Sequence, residues 1–375
     1  MRVILEKLNT MMEYSPPNPT HAVTLQDIAD RCSVSRATAS RALRRDVRNI
    51  SQATIDRIFT VAAEMGYDPS RHHAARRLVM GGRGQAVLNR IVALFIPPDF
   101  MDDPYYGQLF KGVLDELSAQ GFGALTMYEQ MATLDTLLPI FGRGDVDGAI
   151  AISTNGYFHE LQPHLRAESN FGQRPVVILM QPPEDCYSVM PDDFAGGQTV
   201  IEHLLELGHR QILHFHFPGI SYAHQQRRAG FLQACRARGF APEEVLTSVL
   251  WDTDHGDWSL AHLLATLTAH PELTAIVAPN DYAAMRIHAE LVRVGLRVPE
   301  AMSLVGYDDV CAIATPTQAN ILTTVHVPLL DIGRRAAQLI IHQLTSTPAT
   351  PAETPLVLPI DLIVRASTAP PPVHR

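Results

Sequence analysis

"CSVSRATASRALRRD", residues 32–46, is dense in small residues and in arginine. It sits in a chain whose formal net charge is −9. Residues 20–90 hold 12 Arg, no Lys and 6 Asp or Glu, a local charge of about +6, and residues 1–19 are neutral. The 285 residues beyond therefore carry −15. A basic head on an acidic body points to a polyanion bound at one end only. A charge run alone is usually a solvated face, so the local pattern has to decide.

That pattern divides the stretch and its surroundings into three short helices. Thr24 is a good N-cap with Asp27 at the third helical position, an acidic variant of the capping box. Leu25, Ile28 and Ala29 form one apolar face. Ser33 to Ser35 break the helix, and Ser35 caps a second one running from Arg36 to about Leu43. Its docking face is Ala39, Ala42 and Leu43. Ser33 stands in the turn, where a non-glycine residue would have to accept a left-handed backbone. Ser51 caps a third helix with Ile55, Ile58, Val61, Ala62 and Met65 at helical spacing, and Gly66 and Pro69 stop it.

Three short helices with a polar second helix form the helix-turn-helix pattern. Its second helix enters a major groove roughly 12 Å wide, and small residues let its backbone approach the bases. Arg36 can fork onto a guanine edge, and Ala37 can touch only a thymine methyl or leave room. Thr38 and Ser40 can reach phosphates or bases. Arg41, Arg44 and Arg45 suit phosphates, which supply affinity without sequence information. A small helical docking domain would explain the helices but not the arginines.

The rest of the composition sets outer bounds. A length of 375 residues implies two or three domains, and 46% hydrophobic with 18% charged residues is ordinary for a globular chain. Cys32, Cys186, Cys235 and Cys311 are far apart, with no CxxC spacing to suggest zinc or redox chemistry. No apolar run is long enough to span a bilayer, and "MRVILEKLNTMMEY" is too broken by charge for a secretory core, so a cytoplasmic protein is expected. The 17 histidines include "HFH" (214–216) and "RHH" (71–73), neither with companion ligands at metal spacing. No GxSxG, P-loop or dinucleotide fingerprint occurs, so no enzyme, cofactor or metal is expected.

From Asn89 the chain alternates strand-like runs ("RIVALFIP", "FGALTMY", "GAIAIS", "PVVILM") with helical ones. A second series follows, from "QILHFHF" to "SLVGYDD". This implies parallel sheets with helices on both faces, arranged as two doubly wound lobes. Breaks are expected near 190 and near 320, where "ILTTVHVP" would cross back. Ligands in such sheets bind beyond the carboxyl ends of strands, here in the cleft between lobes. Polar clusters stand at those ends: "DPYYGQ" (103–108), "MPDD" (190–193), Arg227 in "QQRRAGF", "PND" (279–281) and "GYDD" (306–309). Carboxylates accept hydroxyl protons and Asn and Arg donate, while Tyr105, Tyr106 and Trp258 offer rings for a sugar's C–H face. Each isolated Asp or Asn could equally be a helix cap.

"VTLQDIADRCSVSRATASRAL…ISQATIDRIFTVAAEMGYDP" resembles the head of the lactose-repressor family of bacterial transcription regulators. "VIEHLLELGHRQI", "RRAGF", "IVAPND", "GLRVPEAMSLVGYDD" and "LTTVHVPLLDIGRRA" resemble that family's effector domain, itself similar to periplasmic sugar-binding proteins. The resemblance spans roughly residues 22–368. It implies that Arg36 and Ala37 choose the operator, that Arg41 contacts phosphate, and that residues 70–78 form a hinge helix. In that hinge Leu78 would wedge into the minor groove, preceded by Ala75 and Arg76. It also implies that Tyr106, Asp192, Arg227, Asn280 and Asp308 contact the effector, with Trp258 as a stacking ring. Ser33 departs from the family's usual turn glycine, Asp193 stands where Asn is common, and the hinge is longer than the usual pattern.

The expected fold is thus a small all-α helix-turn-helix head plus an α/β two-lobed, periplasmic-binding-protein-like body of two doubly wound parallel sheets. A loose arm covers 1–21, the head 22–69, hinge and linker 70–88, the body 89–368 and a tail 369–375. The expected function is a DNA-binding regulator, a repressor, whose operator affinity is set by a small ligand, a sugar, in the cleft. It would bind a pseudopalindromic operator as a homodimer, since no leucine heptad follows "LIVRAST". A purine-sensing regulator and a solute-binding protein are the alternatives.

Overall fold

The structure, a computed structural model, describes residues 23–43, 50–65, 67, 88–97, 103–128, 133–143, 145–152, 174–182, 186–216, 221–251, 256–314, 319–346 and 354–372. Within its helices, the side chains at 134, 138–139, 142–143 and 256–259 lie outside that description. The chain divides into two compact units, Met1–Asn89 and Arg90–Arg375.

The head is built from α1 (Leu25–Arg31), α2 (Arg36–Leu43) and α3 (Gln52–Glu64). Each begins at a side-chain cap. Thr24 and Asp27 form the reciprocal capping box on α1. Ser35 Oγ accepts the Thr38 amide at 3.0 Å, and Ser51 Oγ accepts the Thr54 amide at 3.3 Å. These bonds satisfy amides that the first helical turn leaves without partners. Ile28, Cys32, Ala42, Ile55, Ile58 and Ala62 bury together as the core of the head. Ser33 does adopt the left-handed backbone, with φ 49°.

The body holds two six-stranded sheets. The first contains β1 (Ile91–Ile96), β2 (Gly123–Tyr128), β3 (Gly148–Ala151), β4 (Val176–Leu179), β5 (Tyr187–Pro191) and β11 (Leu356–Leu358), in the order β11-β5-β4-β3-β1-β2, all parallel. The second contains β6 (Ile212–His216), β7 (Leu246–Leu250), β8 (Ala275–Val277), β9 (Ser303–Asp308), β10 (Thr323–His326) and β12 (Asp361–Ile363), in the order β12-β10-β9-β8-β6-β7. Only β12 runs antiparallel to its neighbour. Buried along their whole length, β3, β4 and β8 read as unbroken apolar runs, as parallel strands covered on both faces do, and β9 is buried throughout as well but ends in Asp308.

Among the described residues, eight helices serve these sheets: α4 (Pro104–Ala119), α5 (Leu134–Arg143), α6 (Asp193–Leu207), α7 (Tyr222–Ala237), α8 (Pro242–Val245), α9 (Gly256–Ala269), α10 (Asp281–Arg293) and α11 (Leu329–Thr345). The chain passes from first sheet to second between β5 and α6. It returns between β10 and α11, at Val327–Pro328, so the expected return near 320 falls a few residues later and "TTVH" itself belongs to the second sheet. A third passage, between β11 and β12, has no counterpart in the sequence reading.

Each sheet carries one helix pair in close backbone contact. A Cβ at Gly112 on α4 would collide with the Leu330 carbonyl of α11, and one at Gly333 with the Leu109 carbonyl. Gly197 on α6 and Gly230 on α7 meet in the same way, against the carbonyls of Arg227 and Phe194. The second crossing sets the cleft chemistry, because it lays the start of α6 directly against Arg227.

Candidate functional site

The floor of the site is a buried charge cluster at strand ends of the second sheet. Arg227, on α7, donates from Nε to Asp193 Oδ1 at 2.8 Å and from Nη1 to the Pro279 carbonyl at 3.1 Å. Its Nη2 lies 3.6 Å from Asp308 Oδ1, and its guanidinium stands 3.5 Å from the centroid of the Tyr307 ring. The Tyr307 hydroxyl donates to Asp193 at 3.0 Å. Burial alone would weaken the guanidinium's hold on its proton, but Asp193, Tyr307 and Asp308 reverse this and keep it charged.

Asp308 is the least satisfied member. It is 6% exposed, yet no hydrogen bond reaches its Oδ1. Burial pushes its carboxyl up to about 7; Arg227 opposes the rise, while Asp281, Asp193 and Asp103 add to it. Its backbone is left-handed with φ 101°, and Asp309 follows with φ 58°. Strain of this kind persists only where surrounding bonds fix it. Asp309 accepts from Arg365 Nη2 at 2.8 Å and lies 3.2 Å from His326 Nδ1. Asp281, fully buried, accepts the amides of Val310 and Cys311 at 2.9 and 3.3 Å and the Thr324 hydroxyl at 2.5 Å. Burial raises its carboxyl to about 6.

The first lobe contributes the N-terminus of α4. Asp103 caps it, accepting the Tyr105 amide at 2.8 Å. Tyr105 and Tyr106 form an edge-to-face pair, with centroids 5.2 Å apart and planes at 86°. The Tyr105 phenol is pushed well up, first by burial and next by Asp308, while Arg227 pulls it down. Tyr105 is therefore within electrostatic reach of charges on the other lobe.

The sequence-derived set is thus partly assembled. Tyr105, Tyr106, Arg227 and Asp308 converge. Asp192 and Asn280 act as helix caps, on the Ala195 amide at 2.9 Å and the Ala283 amide at 2.8 Å. Asp193, which the sequence reading did not assign to the effector, holds the buried arginine, and Tyr307 was missed altogether. Tyr307 stood inside "GYDD", but nothing local shows that its ring lies under a guanidinium. Trp258 lies on α9 with its side chain outside the description. His214 and His224 are both lowered to about 3, by burial and cationic neighbours, and stay neutral at ordinary pH.

In the head, Arg36 and Ala37 are exposed at the start of α2, and Thr38, Ser40 and Arg41 are half-buried. The Thr38 hydroxyl lies 2.8 Å from Ser35 Oγ, so it also serves the cap. Thr24 is exposed and engaged with Asp27. Arg44, Arg45, Ala75, Arg76 and Leu78 lie outside the described residues.

A cleft floor of buried, paired charges between two wound sheets, joined to a capped helix-turn-helix unit, defines a small-molecule receptor carrying a DNA-reading head. Residues 24–70 match the family model for bacterial regulatory proteins of the lacI family, and residues 201–368 match a periplasmic binding protein-like domain. The HTH-type transcriptional regulator DegA of Bacillus subtilis (strain 168) is 30% identical over 356 residues, covering 92% of this chain and 98% of DegA. The regulator CelR of Thermobifida fusca is 29% identical over 358 residues, covering 92% and 98%. Among solved structures, a transcriptional regulator CelR–cellobiose complex aligns with TM-score 0.61 at 25% identity, over 92% of this chain and 99% of that one. A LacI family regulator from Enterococcus faecalis V583 with bound ribose aligns with TM-score 0.61 at 27% identity, over 75% and 99%. The chain belongs to the lacI family of bacterial regulatory proteins and is a DNA-binding transcription regulator. No helix among the described residues is long and apolar enough to cross a membrane.

Proposed function

We propose that this regulator is a repressor controlled by a sugar bound between the two lobes of its body. The observation that carries this is the Asp308 carboxylate, buried at a strand end with an oxygen that no hydrogen bond reaches. A ligand hydroxyl there would complete it, beside an arginine already fixed by Asp193. Tyr105 and Tyr106 would cover the ligand from the first lobe. The cellobiose and ribose held by related structures support a carbohydrate over a purine. The chain would act in the cytoplasm, without catalysis, as a homodimer on a pseudopalindromic operator. A sugar would bias DNA binding only through its different affinities for the open and closed arrangements of the lobes.

Arg36 would read a base edge and Ala37 would leave room beside it, while Arg41, Arg44 and Arg45 hold phosphate. Leu78, with Ala75 and Arg76, would wedge the minor groove. The test is operator selection from a random DNA pool, followed by gel-shift titration of Arg36→Ala. The variant should lose about 2 kcal/mol, roughly thirtyfold, on the selected operator and almost nothing on unrelated DNA. An equal loss on both would make Arg36 a phosphate contact, and an unenriched pool would overturn operator recognition.

A further inference from the structure

The charges of the cleft do not balance, and the imbalance bears on which sugar binds. Asp193, Asp281 and Asp308 are each at most 6% exposed, and Asp103 faces them from the other lobe. Arg227 is the cation that the described residues set among them, and its guanidinium is committed to Asp193, to the Pro279 carbonyl and to the Tyr307 ring. It approaches Asp308 no closer than 3.6 Å. The neighbouring histidines, His214 and His224, are neutral.

Among the described residues, helix N-termini add positive potential of roughly half a charge each, and that of α7 carries no side-chain cap at Ser221. Those of α4 and α6 are already covered by whole carboxylates, Asp103 and Asp192, and that of α10 by the Asn280 side chain. Among the described buried side chains, three carboxylates, Asp193, Asp281 and Asp308, face one cation, Arg227, a surplus of two negative charges that the roughly half charge of the α7 N-terminus only partly offsets if all three ionise. The upward shifts of Asp308 and Asp281 have the same origin, burial reinforced by neighbouring carboxylates. Buried charge without a partner is costly, and a ligand that brings the missing cation removes that cost. A neutral hydroxyl would satisfy the open oxygen of Asp308 but not the charge. A phosphorylated sugar would add to the surplus. Tyr105 and Tyr106 further suit a cation, since ring faces attract ammonium groups.

We infer that the effector is an amino sugar whose ammonium group sits against Asp308, in the cleft of buried carboxylates that Arg227 leaves uncompensated. This rests on the sugar-effector reading and narrows it to a charge class.

The test is calorimetric titration of the full chain at pH 7 with matched pairs. These are glucose and glucosamine, galactose and galactosamine, mannose and mannosamine, and cellobiose and its diamino counterpart, the deacetylated chitin disaccharide. N-acetylated forms keep the nitrogen and lose the charge. At least one amino sugar should bind tenfold or more tightly than its neutral parent, with the N-acetylated form no better than the parent. Glucose 6-phosphate should not bind. In Asp308→Asn the tenfold preference should vanish, and Asp193→Asn provides a second removal of charge. A neutral parent binding as tightly as its amine would overturn the charge assignment and leave the sugar reading standing. A set in which no amino sugar binds would also overturn it. Binding of hypoxanthine with no sugar of either kind bound would overturn both.

Discussion

The head and the cleft use polar side chains in opposite ways. In the head, side-chain hydrogen bonds between positions three or four apart start the helices: Thr24 to Asp27, Gln26 to Asp30, Ser35 to Thr38, Ser51 to Thr54, Gln52 to Asp56. In the cleft floor, Arg227 reaches Asp193 across 34 positions and Pro279 across 52, and Tyr307 reaches Asp193 across 114. The head's bonds start helices and leave Arg36 and Ala37 at the surface. The cleft's bonds hold α6, α7, β9 and the turn at Pro279 together and leave one carboxylate oxygen open. A local network can be altered one helix at a time, whereas a long-range network ties ligand recognition to the fold of the lobe.

The contrast is sharpest at Arg227. Arg227→Ala strands Asp193 and Asp308 in a buried site, and breaking such a cluster costs about 4 kcal/mol. Urea unfolding of the body should show that loss; a change under about 1 kcal/mol would mean the long-range network contributes little to holding the lobe. Asp308→Asn should act in the opposite direction. Its carboxyl is raised in the folded chain, to about 7, above its ordinary unfolded value. The folded state therefore binds that proton more tightly. The resulting stability is fully present below the unfolded pKa and is lost as pH rises through about 7. The asparagine variant should be roughly 2 kcal/mol more stable than the parent at pH 8, with no such gain near pH 4. Equal stability at both pH values would break the assignment of Asp308 as a strained, function-bearing group. The smallest effect belongs to the head. Thr24→Ala removes one cap at about 1 kcal/mol. Amide exchange should quicken roughly fivefold in α1 and stay unchanged in α7. Exchange that quickened in both would show that the head's network is not local.

The same contrast explains what the sequence made legible. Caps, turn and docking face of the helix-turn-helix are set by neighbours, so Thr24, Ser35 and Ser51 could be read directly, and so could the left-handed turn at Ser33. Strand ends could be read too, because buried parallel strands are unbroken apolar runs. Which polar residue at a strand end meets which could not. Asp192 and Asp193 are adjacent and chemically identical, and only the Gly197–Gly230 crossing of α6 and α7 decides that the second of them faces Arg227. Tyr307 lies in a strand buried at every position, so burial does not single it out. Strands β5, β11 and β12 span five, three and three residues, too few to show a period, so the third passage between sheets stayed hidden.

That third passage means that neither lobe is a contiguous stretch of gene. The first sheet takes its edge strand β11, and the second its edge strand β12, from residues 356–363. Beyond them Ser367 donates to the Leu304 carbonyl of β9 at 2.6 Å and accepts the Thr323 amide of β10 at 2.7 Å. A frameshift or stop codon anywhere upstream of 354 would strip an edge from both sheets at once and untie the strand that ends in Asp308. Fragments made to isolate a lobe would have to be stitched from segments distant in the gene. Residues 356–367 complete both halves of the receptor, so a nascent chain could read no ligand until this segment had been made.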